Sequence, residues 1–122
     1  MLIENLYNQG VTEREAYRIS TKLKIDATHP LYLGHFPGFP VTPGVCQLLM
    51  IREILENELK MKLILVSAKQ IKFTAVHDPG TDPEIDGLIS YVNKKNGLMV
   101  TASLRTDTKV FIKFKGEFRK RK

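Results

Sequence analysis

The residue types best suited to chemistry lie together in an eleven-residue segment that runs from Gly34 to Gly44. The segment reads GHFPGFPVTPG. Its three prolines and three glycines predict a stiff loop, because proline fixes φ and glycine admits conformations closed to other residues. Its single titratable side chain is His35, and an imidazole exchanges protons near neutral pH. His35 is therefore a candidate general base. The alternatives are a histidine that only bonds the loop backbone and a loop that is only a tight connection.

A helix is expected directly after this loop, and its start offers groups that could stabilise negative charge. The apolar pattern predicts a helix from about Gly44 to Leu59, with Pro43 at its start, where proline is tolerated. The first free N–H groups, near Gly44 and Val45, suit an oxygen on which negative charge develops. Within the same turn, Gln47 could orient a hydroxyl group or a water molecule.

The signature GHFPGxPVxPGV over Gly34–Val45, preceded by HPLY at His29–Tyr32, resembles that of the 3-hydroxyacyl-(acyl-carrier-protein) dehydratases, which have the hotdog fold. The resemblance implies an α+β structure in which an antiparallel sheet wraps around a long central helix and two subunits associate. It implies that His35 acts as the base on a thioester-linked acyl chain at the dimer interface, without a cofactor. An apolar tunnel is expected to begin beside this histidine and to run between subunits. The residues expected to bind the substrate are Phe36, Phe39, Pro43, Gly44, Val45, Gln47 and Leu49.

The chain departs from that family at the helix carboxylate that assists the histidine. This acid is expected fourteen positions after the histidine, where the chain has Leu49. The family often carries a glutamine four residues further on, and here that position is Glu53. Glu53 is therefore the first candidate for the catalytic acid, and the alternative is a solvated charge on the helix. One helical turn advances ~5.4 Å along the axis, so Glu53 would not simply replace an acid at position 49.

Composition indicates an ordinary globular protein. With 122 residues, 43% hydrophobic and 26% charged, the chain is expected to form one domain over residues 1–122. No apolar run approaches the ~20 residues that span a bilayer, and no signal peptide is indicated, which favours a cytoplasmic protein without membrane insertion. The single cysteine, Cys46, excludes an internal disulfide and is expected to be a small apolar helix residue rather than a nucleophile.

The charge and the histidines restrict the partners. The formal net charge of +6 can indicate nucleic acid, an anionic membrane surface or an acidic protein. No nucleic-acid motif is found, and part of the excess lies in the tail 119–122, which is expected to be solvated. Acyl carrier proteins are acidic, so the expected partner is an acyl carrier protein or an acyl-CoA thioester. His29, His35 and His77 lack a metal-ligand spacing, so no metal is expected, and His29 and His77 are expected to be structural or solvent-exposed.

Alternating apolar and polar residues predict strands on both sides of the helix. The expected strands are 16–26, 63–75, 85–92, 98–105 and 110–118, and segment 1–12 could form a short strand or a helical turn. Gly87 is a candidate bulge and Asn96–Gly97 is a hairpin signal. Residues 45–51 are apolar except for Gln47, so the helix is expected to be buried on every side at its beginning and to emerge later. Arg52 and Glu56 are expected to pair on its exposed side.

Together these features predict a hotdog protein that dehydrates 3-hydroxyacyl-(acyl-carrier-protein) thioesters in fatty-acid or polyketide-type synthesis. A homodimer, or a higher oligomer, with one continuous sheet is expected, because a small open sheet has edges to protect. Two alternatives stay open. One is a non-catalytic member that binds acyl thioesters or carrier protein, or pairs with an active subunit. The other is a thioesterase, because fold does not fix function.

Overall fold

Residues 5–34 and 40–121 are described in the computed structural model of the protein, and they form six strands, one α-helix and one 3₁₀ helix. The strands are β1 Tyr7–Glu15, β2 Arg18–Ile25, β3 Leu63–Phe73, β4 Glu84–Lys94, β5 Gly97–Arg105 and β6 Val110–Lys120. The 3₁₀ helix, Pro30–Gly34, and the α-helix α1, Gly44–Leu59, lie between β2 and β3 along the chain. Neither of these described helices is long and apolar enough to cross a membrane.

The six strands form one antiparallel sheet in the order β1-β2-β4-β5-β6-β3. Strands β4, β5 and β6 follow one another as a meander, whereas β3 pairs with β6 at the edge of the sheet. Helix α1 packs on the sheet, and its Met50, Ile51, Ile54 and Leu55 are at most 2% exposed within the hydrophobic core. The predicted arrangement, an antiparallel sheet around a central helix, is confirmed.

The alternation of β2 and β5 appears as predicted. In β2 every second residue is buried and the residues between are exposed, so one face of the strand belongs to the core. Strand β6 departs from strict alternation at its start, where Phe111 and Ile112 are both buried. The reason is that His77, in the connection between β3 and β4, packs on Phe111 with ring centroids 4.9 Å apart. That connection therefore covers the second face of β6.

Helix α1 has the predicted bounds, but its burial differs from the expectation. Its buried residues are Cys46, Gln47, Met50, Ile51, Glu53, Ile54 and Leu55, which follow one side of the helix along its length. Val45 is 65% exposed, and Leu48 and Leu49 are only half-buried. The expectation that the helix begins buried on every side is wrong, because one side of its first two turns faces away from the core. The predicted pairing of Arg52 with Glu56 is confirmed, with Nε 4.0 Å from Oε1.

Gly87 is not a bulge, because the pairing of β4 with β2 and with β5 runs past it without a shift in register. A Cβ at this position would lie 3.2 Å from Thr21 Cγ2 and 3.4 Å from Ile54 Cδ1. The missing side chain therefore makes room for α1 to approach the sheet. The expectation of a bulge at Gly87 is corrected in this way.

The hairpin predicted at Asn96–Gly97 is confirmed, with Lys94 paired to Gly97 across a two-residue loop. The glycine is needed for a different reason from the one the turn signal suggests. A Cβ on Gly97 would lie 2.8 Å from the Cα of Arg119 in β6, and backbone atoms cannot step aside. Gly97 therefore permits the close approach of two strands.

Both edge strands are irregular, and β3 exposes apolar residues. The register of β1 shifts between Gln9 and Thr12, and that of β3 shifts twice, between 65 and 67 and between 68 and 70. Edge bulges of this kind blunt unwanted pairing. Strand β3 nevertheless carries four large apolar side chains that are 43–52% exposed: Ile64, Val66, Ile71 and Phe73.

Candidate functional site

The predicted base and two of the predicted substrate-binding residues, His35, Phe36 and Phe39, lie outside the described residues. Their roles therefore stay predictions. The chain on either side is described: the 3₁₀ helix ends at Gly34, and the segment from Pro40 leads into α1. The site is built from these two flanks and from the helix.

The start of α1 presents the backbone groups that are expected to stabilise an oxygen on which negative charge develops. Pro43 is the N-cap, and its carbonyl accepts from the N–H groups of Cys46 at 3.0 Å and Gln47 at 3.2 Å. Gly44 and Val45 therefore precede the first closed turn, where helical N–H groups have no partner within the helix. The space beside Gly44 is occupied by Phe73 of β3, whose Cε1 would lie 2.8 Å from a Cβ at position 44.

Thr42, just before the helix, is the centre of a buried hydrogen-bond network. Its hydroxyl lies 2.8 Å from the hydroxyl of Tyr32 and 2.6 Å from Nδ1 of His77. Its N–H donates to the His77 carbonyl at 3.0 Å. Nε2 of His77 lies 2.9 Å from the Asp82 carbonyl, and burial lowers the pKa of His77. Burial also raises the pKa of Tyr32. The network ties the 3₁₀ helix, the entry to α1 and the β3–β4 connection together.

Gln47 is anchored at one end only. The residue is 4% exposed, and its Nε2 donates to the Thr42 carbonyl at 3.2 Å. Its Oε1 is buried and finds no donor among the described residues. Of the predicted substrate-binding residues in the described chain, Gln47 is the one that offers a free polar atom in an enclosed setting.

The remaining predicted residues differ in burial along α1. Val45 is exposed and Leu49 is half-buried, whereas Glu53, one turn after Leu49 on the same face of the helix, is 9% exposed. Oε1 of Glu53 accepts from the Tyr7 hydroxyl at 2.8 Å. The alternative of a solvated surface charge at Glu53 is therefore wrong. Nothing in the sequence links Tyr7 to Glu53, which lies 46 positions away, so this partner was missed.

The Tyr7–Glu53 pair lies beside a cavity of about 530 Å³ between β1 and the second half of α1. The cavity is lined by Tyr7, Asn8, Gln9, Glu53, Glu56, Asn57, Lys60, Met61 and Lys62. Burial, together with the hydrogen bond to Glu53, raises the pKa of Tyr7 well above its usual range. A second hollow of about 580 Å³ follows the sheet and reaches Ser90, Thr101 and Lys115. Neither is lined by Val45 or Leu49, so the predicted tunnel between subunits stays a prediction.

The two described histidines and the cysteine have structural roles. Nδ1 of the half-buried His29 accepts from the Leu31 N–H at 3.0 Å, and His77 is fully enclosed in the Thr42 network. Cys46 is buried, and burial raises the pKa of its thiol, as suits a small apolar helix residue. Among residues 5–34 and 40–121, no three His, Cys, Asp or Glu side chains come together as metal ligands.

Comparisons with known proteins find similarity to dehydratases. Residues 11–115 match the ApeI-like family, described as ApeI dehydratase. The chain is 27% identical over 105 residues to the 3-hydroxyacyl-[acyl-carrier-protein] dehydratase FabZ of Chlamydia pneumoniae. That alignment covers 79% of this chain and 68% of the FabZ chain.

Solved structures share the fold. The dehydratase heterocomplex ApeI:P from Xenorhabdus doucetiae matches with a TM-score of 0.73 and 21% identity, over 93% of this chain and 97% of that chain. An uncharacterised protein from Erwinia carotovora subsp. atroseptica matches with a TM-score of 0.66 and 20% identity, over 95% of this chain and 96% of that chain. The predicted α+β hotdog fold is confirmed. Because the ApeI-like match spans most of the sequence, the chain belongs to the ApeI-like dehydratase family.

Proposed function

We propose that the protein dehydrates 3-hydroxyacyl thioesters carried by an acyl carrier protein, with His35 as the base. The observation that carries the proposal is the ApeI-like match over residues 11–115, which contains the whole GHFPGFPVTPG segment. FabZ of Chlamydia pneumoniae, to which the chain is similar, is named for this reaction. The reaction needs a base for the α-proton, donors for the thioester oxygen and an acid for the departing hydroxyl.

The described residues support the donors for the thioester oxygen and offer, in addition, an acceptor for a hydroxyl group. The N–H groups of Gly44 and Val45, before the first closed turn of α1, suit the thioester oxygen on which charge develops. The buried Oε1 of Gln47 suits a hydroxyl group or a water molecule. His35, in the loop that leads to this helix start, is assigned as the base because of its place in the signature.

Glu53 is the proposed acid, and its hydrogen bond to Tyr7 determines which of its oxygens can donate a proton. The Tyr7 hydroxyl occupies Oε1, so proton donation falls to Oε2. Position 49 lies on the same face of α1 one turn earlier, ~5.4 Å along the axis, and it is half-buried whereas Glu53 is buried. Glu53 is therefore not equivalent to an acid at position 49, and turnover by a one-residue mechanism with a water molecule is the alternative.

The exposed apolar residues support a dimer. Ile64, Val66, Ile71 and Phe73 of the edge strand β3 are 43–52% exposed, and the ring of Phe73 reaches Gly44 at the start of α1. Pairing of β3 with β3 of a second copy would cover these residues and extend the sheet. Light scattering that shows a stable monomer at micromolar concentration would contradict this assembly.

A second candidate is a member that pairs with a different, active subunit. The observation that favours it is Leu49, a half-buried apolar residue at the position of the family's acid. The ApeI:P structure is a complex of two different proteins, as its name states. In such an assembly the acid would come from the other subunit.

The deciding experiment measures turnover of a 3-hydroxyacyl thioester by the wild type, His35→Ala and Glu53→Gln. Loss of turnover in both variants identifies Glu53 as a relocated acid. Loss in His35→Ala alone favours the one-residue mechanism. Unchanged turnover in His35→Ala would refute the catalytic assignment.

If the wild type is inactive, Leu49→Glu tests whether the site can be restored. Gain of activity in Leu49→Glu, but not in the matched control Leu49→Gln, identifies a dehydratase scaffold that lacks its acid. General acid–base assistance is typically worth roughly 10²–10⁴-fold in rate, so the difference between the two variants is measurable.

A further inference from the structure

The proton positions in the Thr42 network follow from its last acceptor. The Asp82 carbonyl can only accept, so Nε2 of His77 carries the proton and Nδ1 accepts from the Thr42 hydroxyl. The Thr42 oxygen in turn accepts from the Tyr32 hydroxyl. The hydrogen bonds therefore all point the same way: Tyr32 donates to Thr42, Thr42 donates to His77, and His77 donates to the Asp82 carbonyl.

The same network fixes which way the Gln47 amide points. The Thr42 carbonyl can only accept, so the NH₂ end of the amide must face it and Oε1 must point away. Thr42 cannot shift easily, because its N–H, its carbonyl and its hydroxyl are all bonded. Tyr32, Thr42 and His77 are 5%, 3% and 1% exposed, so water does not compete for these bonds.

The orientation leaves a buried acceptor without a donor. Gln47 is 4% exposed, and no described residue donates to its Oε1. A buried polar atom without a partner costs free energy, and such atoms in native proteins call for an explanation. A bound molecule can supply the donor that completes Oε1, and the 3-hydroxyl group of the acyl chain has the required O–H.

We propose that Tyr32, Thr42 and His77 are positioning residues that hold Gln47 with Oε1 open as the acceptor for the substrate's 3-hydroxyl group. The inference rests on the proposed function, which supplies the substrate class. It adds a consequence for selectivity. The enoyl product and saturated chains have no hydroxyl to donate, so the site binds the 3-hydroxyacyl chain in preference to both.

The test compares the binding of two pantetheine conjugates that differ only in the hydroxyl group, 3-hydroxyhexanoyl and hexanoyl. Amide linkages replace the thioesters, which makes the α-proton less acidic and suppresses turnover. A neutral hydrogen bond is worth about 2–12-fold in affinity, so the wild type should prefer the hydroxylated analogue by roughly that factor. Gln47→Leu should abolish the preference. Equal affinities of the wild type for the two analogues would overturn the acceptor role.

The positioning role is tested by Thr42→Val, which removes the hydroxyl at nearly constant shape, and Thr42→Ser, which keeps it. Thr42→Val should lose the preference and shift the Gln47 side-chain NH₂ signals in ¹⁵N-correlated NMR spectra. Thr42→Ser should recover both. Thr21→Val is the matched control, because it removes another buried threonine hydroxyl, 2.7 Å from that of Thr12, on the β1–β2 pair.

A preference and a Gln47 signal that are the same in Thr42→Val and Thr21→Val would refute positioning by the network. The outcome for the proposed function is read separately. If the wild type prefers the hydroxylated analogue but turns over no 3-hydroxyacyl thioester, the acceptor role is supported and the dehydratase assignment fails.

Discussion

Replacing Tyr7 with phenylalanine removes the hydroxyl that reaches Glu53 and leaves the ring in place. A hydrogen bond to a charged group contributes about 1.5–3 kcal/mol to stability. The neighbouring cavity of about 530 Å³ gives water some access to the carboxylate, so we expect a loss near the lower limit, about 1.5 kcal/mol. For a chain of this length that loss lowers Tm by roughly 5–8 °C. The bond joins β1 to α1, so its loss weakens the attachment of an edge strand.

The assay is urea unfolding followed by far-UV circular dichroism, because the chain has no tryptophan. A double-mutant cycle with Glu53→Leu, which cannot accept from the Tyr7 hydroxyl, isolates the contribution of the pair, and we expect a coupling of about 0.5–1.5 kcal/mol. Tyr17→Phe is the matched control, since Tyr17 is 54% exposed, and its change should stay within about 0.5 kcal/mol. A Tyr7→Phe loss no larger than this control, or a coupling near zero, would refute the reasoning.

The pair also predicts behaviour at alkaline pH. Burial and the bond to Glu53 raise the pKa of Tyr7 above its ordinary value of 10.0, so the folded protein keeps a proton that the unfolded chain loses. The stability from this group is complete below about pH 10 and falls as the pH rises further. In Tyr7→Phe this part of the alkaline decline should disappear. An unchanged decline would contradict the raised pKa.

Three further predictions test other parts of the structure. Burial lowers the pKa of His77, and the charge of Lys109 acts in the same direction, whereas Asp82 and Asp78 act to raise the pKa. The contribution of His77 to the free energy of unfolding is therefore complete above about pH 6.5 and falls as the pH drops further. Urea unfolding of His77→Gln should show a shallower acid dependence, and an equal slope would refute this. Gly44→Ala should cost stability because its methyl group displaces the Phe73 ring, and should become neutral or stabilising by up to about 1 kcal/mol in a Phe73→Ala background. Ile71→Lys on β3 should weaken self-association in sedimentation experiments, whereas Lys69→Arg on the same strand should not.

The parts of the fold that were predictable are those that depend on near neighbours in sequence. The apolar spacing after Pro43–Gly44 predicted α1 from about Gly44 to Leu59, as observed, and strict alternation predicted β2 and β5. The Asn96–Gly97 signal predicted the right hairpin, although the requirement for glycine comes from β6. In each case the controlling interactions lie within one element or one turn.

The parts that could not be predicted depend on contacts between distant segments. The apolar run 45–51 predicted that Val45 would be buried, but the sequence does not show that it faces away from the core. The sequence carries no signal that joins Tyr7 to Glu53, or Thr42 to His77 35 positions away. For the same reason the sequence does not show that the Gln47 amide is bonded at its NH₂ end and free at its oxygen. That orientation depends on the position of the Thr42 carbonyl in the fold.

The pairing of β3 has a consequence for how the chain folds. Strand β3 is bonded to β6 alone among the described strands, and its partners come roughly 40–60 residues later in the sequence. During synthesis β3 therefore leaves the ribosome well before the strand that completes it. The β4–β5 and β5–β6 hairpins close short loops and should form first, and β3 should dock last. Until then its apolar residues are open to other nascent chains, so the yield of folded protein should depend on temperature and on chaperones more than its final stability suggests.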